Sequence, residues 1–98
     1  MSLGLEVKTV SLDNLADLRA LDQDSFPEPW SRSLWKLELS RPNRIYLGAF
    51  KGAELIGFIG GLLAHTDFHI TTVATKKSHR CSGVGSFLLL RMLKESSP

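Results

Sequence analysis

A single cysteine, Cys81, stands in 98 residues. That scarcity excludes an internal disulfide framework and a cysteine-built zinc cluster, and it fits a reducing compartment. Charge of one sign is scarce as well. Twelve Lys and Arg against ten Asp and Glu leave a net charge of +2, too weak and too scattered to argue for nucleic acid. No apolar run approaches the roughly 20 residues that a membrane-spanning helix needs. The opening Met-Ser-Leu-Gly-Leu-Glu lacks the charged-then-apolar pattern of a secretory signal. A cytoplasmic protein without a membrane partner is the expectation. There is no internal repeat, low-complexity tract or linker. What remains is an ordinary globular balance, 43% hydrophobic and 22% charged, sufficient for one small domain and not two.

The elements follow from periodicity and breakers. Residues 5–10 alternate, with Leu5, Val7 and Thr9 on one side and Glu6 and Lys8 on the other, a short strand. Ser11 is a good N-cap, and Leu12, Leu15, Leu18 and Leu21 recur at helical spacing, with Asp13, Asp17, Arg19 and Asp22 between them. Pro27 and Pro29 stop that helix. Ser31 caps a second one, with Trp30, Leu34, Trp35, Leu37 and Leu39 as its apolar surface. Three strands follow, at residues 44–50, 54–64 and 68–75, joined by turns at Lys51-Gly52 and Thr66-Asp67. Gly57, Gly60 and Gly61 suggest bulges or close packing. A leucine-rich helix over 87–93 closes the chain. The order β-α-α-β-β-β-α predicts an α+β fold, an antiparallel meander with helices on both faces.

That last helix is apolar almost all the way round through Phe87, Leu88, Leu89, Leu90, Met92 and Leu93, so it needs cover on more than one side. Either a further C-terminal segment or a partner chain is expected to supply that cover, and self-association is one way to do so. The alternative is a small domain that leaves a leucine patch exposed.

Between the last strand and this helix lies Arg80-Cys81-Ser82-Gly83-Val84-Gly85. A strand feeding a glycine loop and then a helix N-terminus is an anion-binding device. The first helical N–H groups lack partners inside the helix, and the aligned peptide dipoles add partial positive charge there. Gly83 and Gly85 would let a phosphate approach the backbone, and Arg80 adds a full charge. Lys76, Lys77 and Arg80 form a small basic cluster beside the loop. The pattern points to a pyrophosphate. The Walker spacing is absent, and so is the first glycine of the dinucleotide fingerprint, which disfavours a nucleotide-phosphate binder.

Residues 73–89 resemble the GNAT N-acetyltransferases. Their pyrophosphate loop reads Gln/Arg-x-x-Gly-x-Gly/Ala, eight residues after an Ala-Val-type strand end and before a leucine-rich helix. Arg80, Gly83 and Gly85 match its fixed positions, and Ala74-Thr75 sits at the right spacing. Lys77 departs from the proline that the family often has. Two further stretches narrow the resemblance to ribosomal-protein-alanine N-acetyltransferases. Phe26-Pro27-Glu28-Pro29-Trp30-Ser31 is similar to their Phe-x-x-Pro-Trp-Ser turn, and His69-Ile70-Thr71-Thr72-Val73-Ala74 to their His-Ile-x-x-Ile-Ala strand. The resemblance covers essentially all of residues 1–98 but only the N-terminal part of the family's domain. It implies an incomplete acetyltransferase domain whose C-terminal strands and helix are missing.

The resemblance implies a fold, a co-substrate and roles. Acetyl-CoA would be held by main-chain groups of Val73, Ala74 and Thr75 along its pantetheine arm, one N–H there polarising the thioester carbonyl. Arg80 and the amides of Cys81, Ser82, Gly83, Val84, Gly85 and Ser86 would hold its pyrophosphate. The acceptor would be a protein N-terminal amine, with Phe26, Glu28 and Trp30 walling its groove and His69 close by. In the family the catalytic glutamate and tyrosine lie beyond the glycine-loop helix, so no catalytic residue is expected here. The 98 residues by themselves would bind CoA poorly and not turn over.

Other readings of the same residues stand beside these. Trp30 and Trp35 are most simply packing, Glu28 a solvated carboxylate and His69 a sheet residue. Cys81 resembles a helix-start thiol, but this chemistry needs no nucleophile. His65 and His69 could share a strand face, yet no third ligand follows at metal spacing, so no metal is expected. The alternative to an enzyme is a non-catalytic acyl-CoA-binding or protein-interaction module.

Overall fold

The computed structural model describes residues 4–80 and 83–96. Its elements are β1 (Glu6–Thr9), α1 (Leu15–Ser25), α2 (Arg32–Leu39), β2 (Arg44–Lys51), β3 (Glu54–Ala64), β4 (Asp67–Thr75) and α3 (Val84–Ser96). The strands form one antiparallel sheet in the order β1-β2-β3-β4. This is the α+β meander that the sequence predicts. None of its helices is long and apolar enough to cross a membrane.

Each face of the sheet carries its own core. On one face α1 and α2 bury Leu15, Leu18, Leu21 and Trp35 against Tyr46, Phe50, Leu55, Phe58 and Ala74. On the other, α3 buries Val84, Leu88 and Met92, spaced i, i+4, i+8, against Leu47, Ala49, Ile56 and Ile59. Trp35 anchors the first core with its ring edge-on to Tyr46 at 5.5 Å and to Phe58 at 5.7 Å.

Several boundaries differ from the expectation, each for a local reason. The first helix opens with a 3₁₀ turn, Leu12–Asn14, in which Ser11 and Asn14 cap each other. That turn swings Leu12 out of the apolar stripe, leaving it 53% exposed. Asp22, expected on the polar side, is buried instead. In α2, only two turns long, Trp35 is buried and Leu39 packs at the margin, while Trp30, Leu34 and Leu37 remain exposed. The hairpin turns lie one residue from their expected places, at Gly52-Ala53 and His65-Thr66, because Gly52 (φ 63°) and His65 (φ 56°) take the left-handed backbone there. His65 therefore leaves the strand and shares no face with His69. The last helix starts at Val84, at the helix N-terminus expected beside the glycine loop, and runs past residue 93 to Ser96.

The glycines of β3 act as both bulge and packing sites. The β3–β4 register shifts between Gly60 and Gly61, where Gly60 faces Thr72 and Gly61 faces Ile70, so Thr71 is the extra residue on β4. A Cβ on Gly60 would come within 2.3 Å of the Tyr46 ring, and one on Gly61 within 2.2 Å of Phe68. Both positions need hydrogen where a side chain would sit.

Candidate functional site

β4 is the last strand of the sheet, and its outer edge is open among the described residues. The Lys76 N–H donates to the Ile56 carbonyl at 2.8 Å, which sets the alternation along the ladder. Opposite Phe58 and Gly60, Ala74 and Thr72 are the hydrogen-bonded positions. Val73 and Thr75, opposite Ile59 and Gly57, aim their N–H and C=O at the free edge. Of the expected main-chain trio, Ala74 is thus turned into the sheet. The Thr75 carbonyl accepts a bond from Arg80 Nε at 3.0 Å. The groups left for a ligand are Val73 N–H and C=O and Thr75 N–H.

At the Thr75 end of this edge lies the glycine turn. Gly83 has φ 88°, a conformation that L side chains rarely adopt, and its carbonyl accepts from Phe87 N–H at 2.9 Å to start α3. Among the described residues nothing accepts from the N–H groups of Val84, Gly85 or Ser86, as expected of a helix start. Val84 points its side chain into the core, so only its main chain serves the turn. A Cβ on Gly85 would make ordinary van der Waals contact with Thr75 Oγ1 at 3.9 Å and Val73 Cγ1 at 4.0 Å. Gly85 thus lies against the side chains of the two β4 residues whose main-chain groups face the open edge. Cys81 and Ser82 lie outside the described residues.

The basic cluster beside the turn is largely spent. Lys76 is paired with Glu54, and its hydrogen bond holds the Glu54 carboxyl below the usual carboxylate range. Lys77 meets Asp24 at 3.6 Å. These four, with Asp17, line a cavity of about 380 Å³ between α1 and the start of β3, where the acidic residues outnumber the lysines. Positive potential at the glycine turn comes from backbone dipoles and Arg80, not from the lysines.

On the α1–α2 face, a pocket of about 330 Å³ lies beside the middle of β4. The turn between the helices supplies Phe26, Pro27, Glu28 and Trp30, and the bulge of β4 presents Thr71 and Thr72. The Thr71 hydroxyl donates to the Gly60 carbonyl at 3.2 Å. The turn is held by Asp22, whose Oδ2 accepts the Trp30 N–H at 2.8 Å and the Trp35 indole N–H at 2.9 Å. Phe26, Glu28 and Trp30 are therefore brought together, whereas His69, exposed opposite Leu62, does not line the pocket. Asp22, Thr71 and Thr72 line it without having been expected to. A signal for Asp22 existed: it is i+4 from Leu18 and i+7 from Leu15, on the core stripe.

An antiparallel meander with a glycine turn between its fourth strand and the next helix defines a class of fold, and comparison with known proteins identifies it. The profile of the acetyltransferase (GNAT) family matches residues 15–96. The chain belongs to that family. A Bacillus subtilis protein provisionally named ribosomal protein bS18-alanine N-acetyltransferase is 27% identical over 89 residues, 90% of this chain and 59% of that protein. The N-alpha-acetyltransferase RimI of Mycobacterium tuberculosis is 27% identical over 70 residues, 67% of this chain and 44% of that protein. The chain thus spans about half the length of the curated relatives it matches. In fold it is similar to the ribosomal-protein-S18-alanine N-acetyltransferase of Escherichia coli, with TM-score 0.85, 13% identity, and 94% of this chain and 59% of that one covered. It is equally similar to the PaiA N-acetyltransferase of Thermoplasma acidophilum, solved with coenzyme A, with TM-score 0.85, 22% identity, and 98% and 72% covered.

Proposed function

We propose that these residues form the acetyl-CoA-binding part of an N-acetyltransferase that acts on a protein N-terminal amine, of the ribosomal-protein-alanine type. One observation carries the reading. The free edge of β4 runs from the helix start at Gly83 and Gly85, past the unpaired main-chain groups of Thr75 and Val73, to the pocket at Thr71 and Thr72. A ligand lying along that edge would have its anionic end at the turn and its other end beside the pocket. The residues present fit acetyl-CoA: helix-start N–H groups and Arg80 suit its pyrophosphate, and the edge groups of Val73 and Thr75 suit its pantetheine amides. When bound, acetyl-CoA supplies an activated acyl group. Phe26, Glu28 and Trp30 wall the acceptor, with His69 farther along the strand. The coenzyme A in the Thermoplasma acidophilum structure supports the co-substrate, and the names of the two curated relatives support an N-terminal acceptor.

The reading assigns no acid or base within these 98 residues, so the chain by itself is expected to hold CoA weakly and not to turn over. Two-dimensional NMR during a CoA titration tests it. The amides of Val73, Thr75, Gly83, Gly85 and Ser86 should shift together, and a response confined to other residues refutes the reading. A second reading, an acyl-CoA-binding or interaction module, is favoured by Leu89, Leu90 and Leu93, exposed by 38%, 67% and 49%. Sedimentation of a Leu90→Glu, Leu93→Glu variant tests self-association through that face, which both readings allow.

A further inference from the structure

A carboxylate removed from water is costly unless donors or a cation compensate it. Asp22 is 5% exposed. Its Oδ2 has two neutral donors, the Trp30 N–H and the Trp35 indole N–H. None of the ion pairs among the described residues includes it. The carboxylate is hydrogen-bonded, has no salt-bridge partner among the described residues, and lines the pocket.

The rest of the pocket agrees with that charge. The Trp30 and Trp35 rings lie 4.8 Å apart at 53° to each other, and Phe26 adds a third ring. Aromatic faces attract organic cations. Glu28 places a second, exposed carboxylate on the same wall, and Thr71 offers a hydroxyl from β4. Among the described residues, no lysine, arginine or histidine lines the pocket. Such a site repels anions, gains little from a neutral amide and gains most from a compact cation with several donors.

We propose that Asp22 is the specificity-determining residue of this pocket and selects the acceptor in its primary ammonium form. The proposal rests on the acceptor reading above and goes beyond it by naming the residue and the ionic form recognised. The role is recognition: Asp22 Oδ2 is already occupied by two donors, and its charge acts on the arriving ligand.

The test uses Asp22→Asn, whose amide oxygen can still accept both tryptophan donors while the charge is gone. The probes are Ala-Ala-Ala amide with a free N-terminus and the same peptide N-acetylated. Both are titrated without acetyl-CoA and followed by NMR at the Thr71 and Thr72 amides and the Trp30 and Trp35 indoles. The free peptide should bind D22N at least tenfold more weakly than wild type, and the acetylated peptide should bind both proteins poorly. Equal binding of the free peptide to the two proteins overturns the proposal. So does wild type that binds the acetylated peptide as well as the free one, or that binds neither. If D22N fails to fold, the two wild-type titrations still decide the ionic form recognised, and Glu28→Gln decides whether the other pocket carboxylate accounts for it. Glu28→Gln, exposed and screened, should weaken free-peptide binding less than threefold, and a larger loss there than at Asp22 also overturns it. A CoA titration on the same samples reads the glycine turn separately, so failure of the co-substrate reading is seen apart from failure of this one.

Discussion

Gly85→Ala separates what the glycine turn does for folding from what it does for binding. Gly85 is the second residue of α3. A methyl there meets Thr75 Oγ1 at 3.9 Å and Val73 Cγ1 at 4.0 Å, ordinary contact distances, and its backbone is not in the left-handed region. The fold therefore gains from the change. Alanine in place of glycine at an unstrained position adds about 0.4–1 kcal/mol, chiefly by restricting the unfolded chain. For a domain of this size that raises Tm by roughly 2–8 °C. The same methyl adds bulk at the helix start beside β4, where the pyrophosphate is proposed to approach, so CoA should bind at least tenfold more weakly. Gly83→Ala is the contrasting change. At φ 88° an alanine is strained by about 1–2 kcal/mol, so Tm should fall. Calorimetry and the NMR titration read the two effects on the same samples. A Gly85→Ala protein that is more stable and binds CoA as wild type does would refute the site.

Three further outcomes follow from packing and charge. Gly60→Ala drives a methyl into Tyr46, which is 3% exposed and pinned by its hydroxyl to Glu38 at 2.7 Å, and should cost about 2–3 kcal/mol. Gly61→Ala meets the far end of the half-buried Phe68 ring, which can swing, and should cost about 1 kcal/mol in urea denaturation; the reverse order would contradict this. Trp35→Phe removes a donor to a buried carboxylate and should cost about 1.5–3 kcal/mol, and a neutral result would show that the bond contributes nothing. Tyr46 has its phenol pushed up, first by burial and then by the hydrogen bond to Glu38. Above pH ~10 the unfolded chain releases that proton and the folded one keeps it, so stability should fall by about 1.4 kcal/mol per pH unit there. In Tyr46→Phe that part of the alkaline slope should disappear.

The order of elements was legible because each strand and helix announces itself locally. Leu15, Leu18 and Leu21 mark one face of α1, Pro27 and Pro29 end it, and Gly52 marks a hairpin. The glycine turn was legible for the same reason, since its backbone demand is met by residue types within six positions. Burial in short α2 was not, because which of Leu34, Trp35 and Leu37 faces inward depends on the angle at which the helix lands. A bulge at the β3 glycines was legible, but not that Thr71 of β4 is its extra residue, since a Thr-Thr pair carries no such mark; only pairing with Gly60 and Gly61 creates it. Asp22 falls between the two cases. Its place on the leucine stripe could be read from i+4 and i+7 spacing, but its partners Trp30 and Trp35 are tertiary. A sequence pattern can place a carboxylate on a core face without saying what makes it tolerable there.

The open edge of β4 ties these pieces together. A nine-residue edge strand with Ile70 and Val73 exposed by 37% and 40% invites another strand. Two features make this edge a poor partner for a full strand. The bulge at Thr71 breaks the regular spacing of its outward groups, and Arg80 occupies the Thr75 carbonyl. What survives is a short run of free groups at Val73 and Thr75, next to a helix start at one end and a carboxylate-bearing pocket at the other. Such a run suits a narrow, amide-bearing ligand better than a protein strand. It also accounts for the place of the proposed site on this strand: the edge is where the α1–α2 face and the α3 face meet. A ligand there can reach the glycine turn held by one core and the pocket held by the other. Neither core provides both contacts by itself.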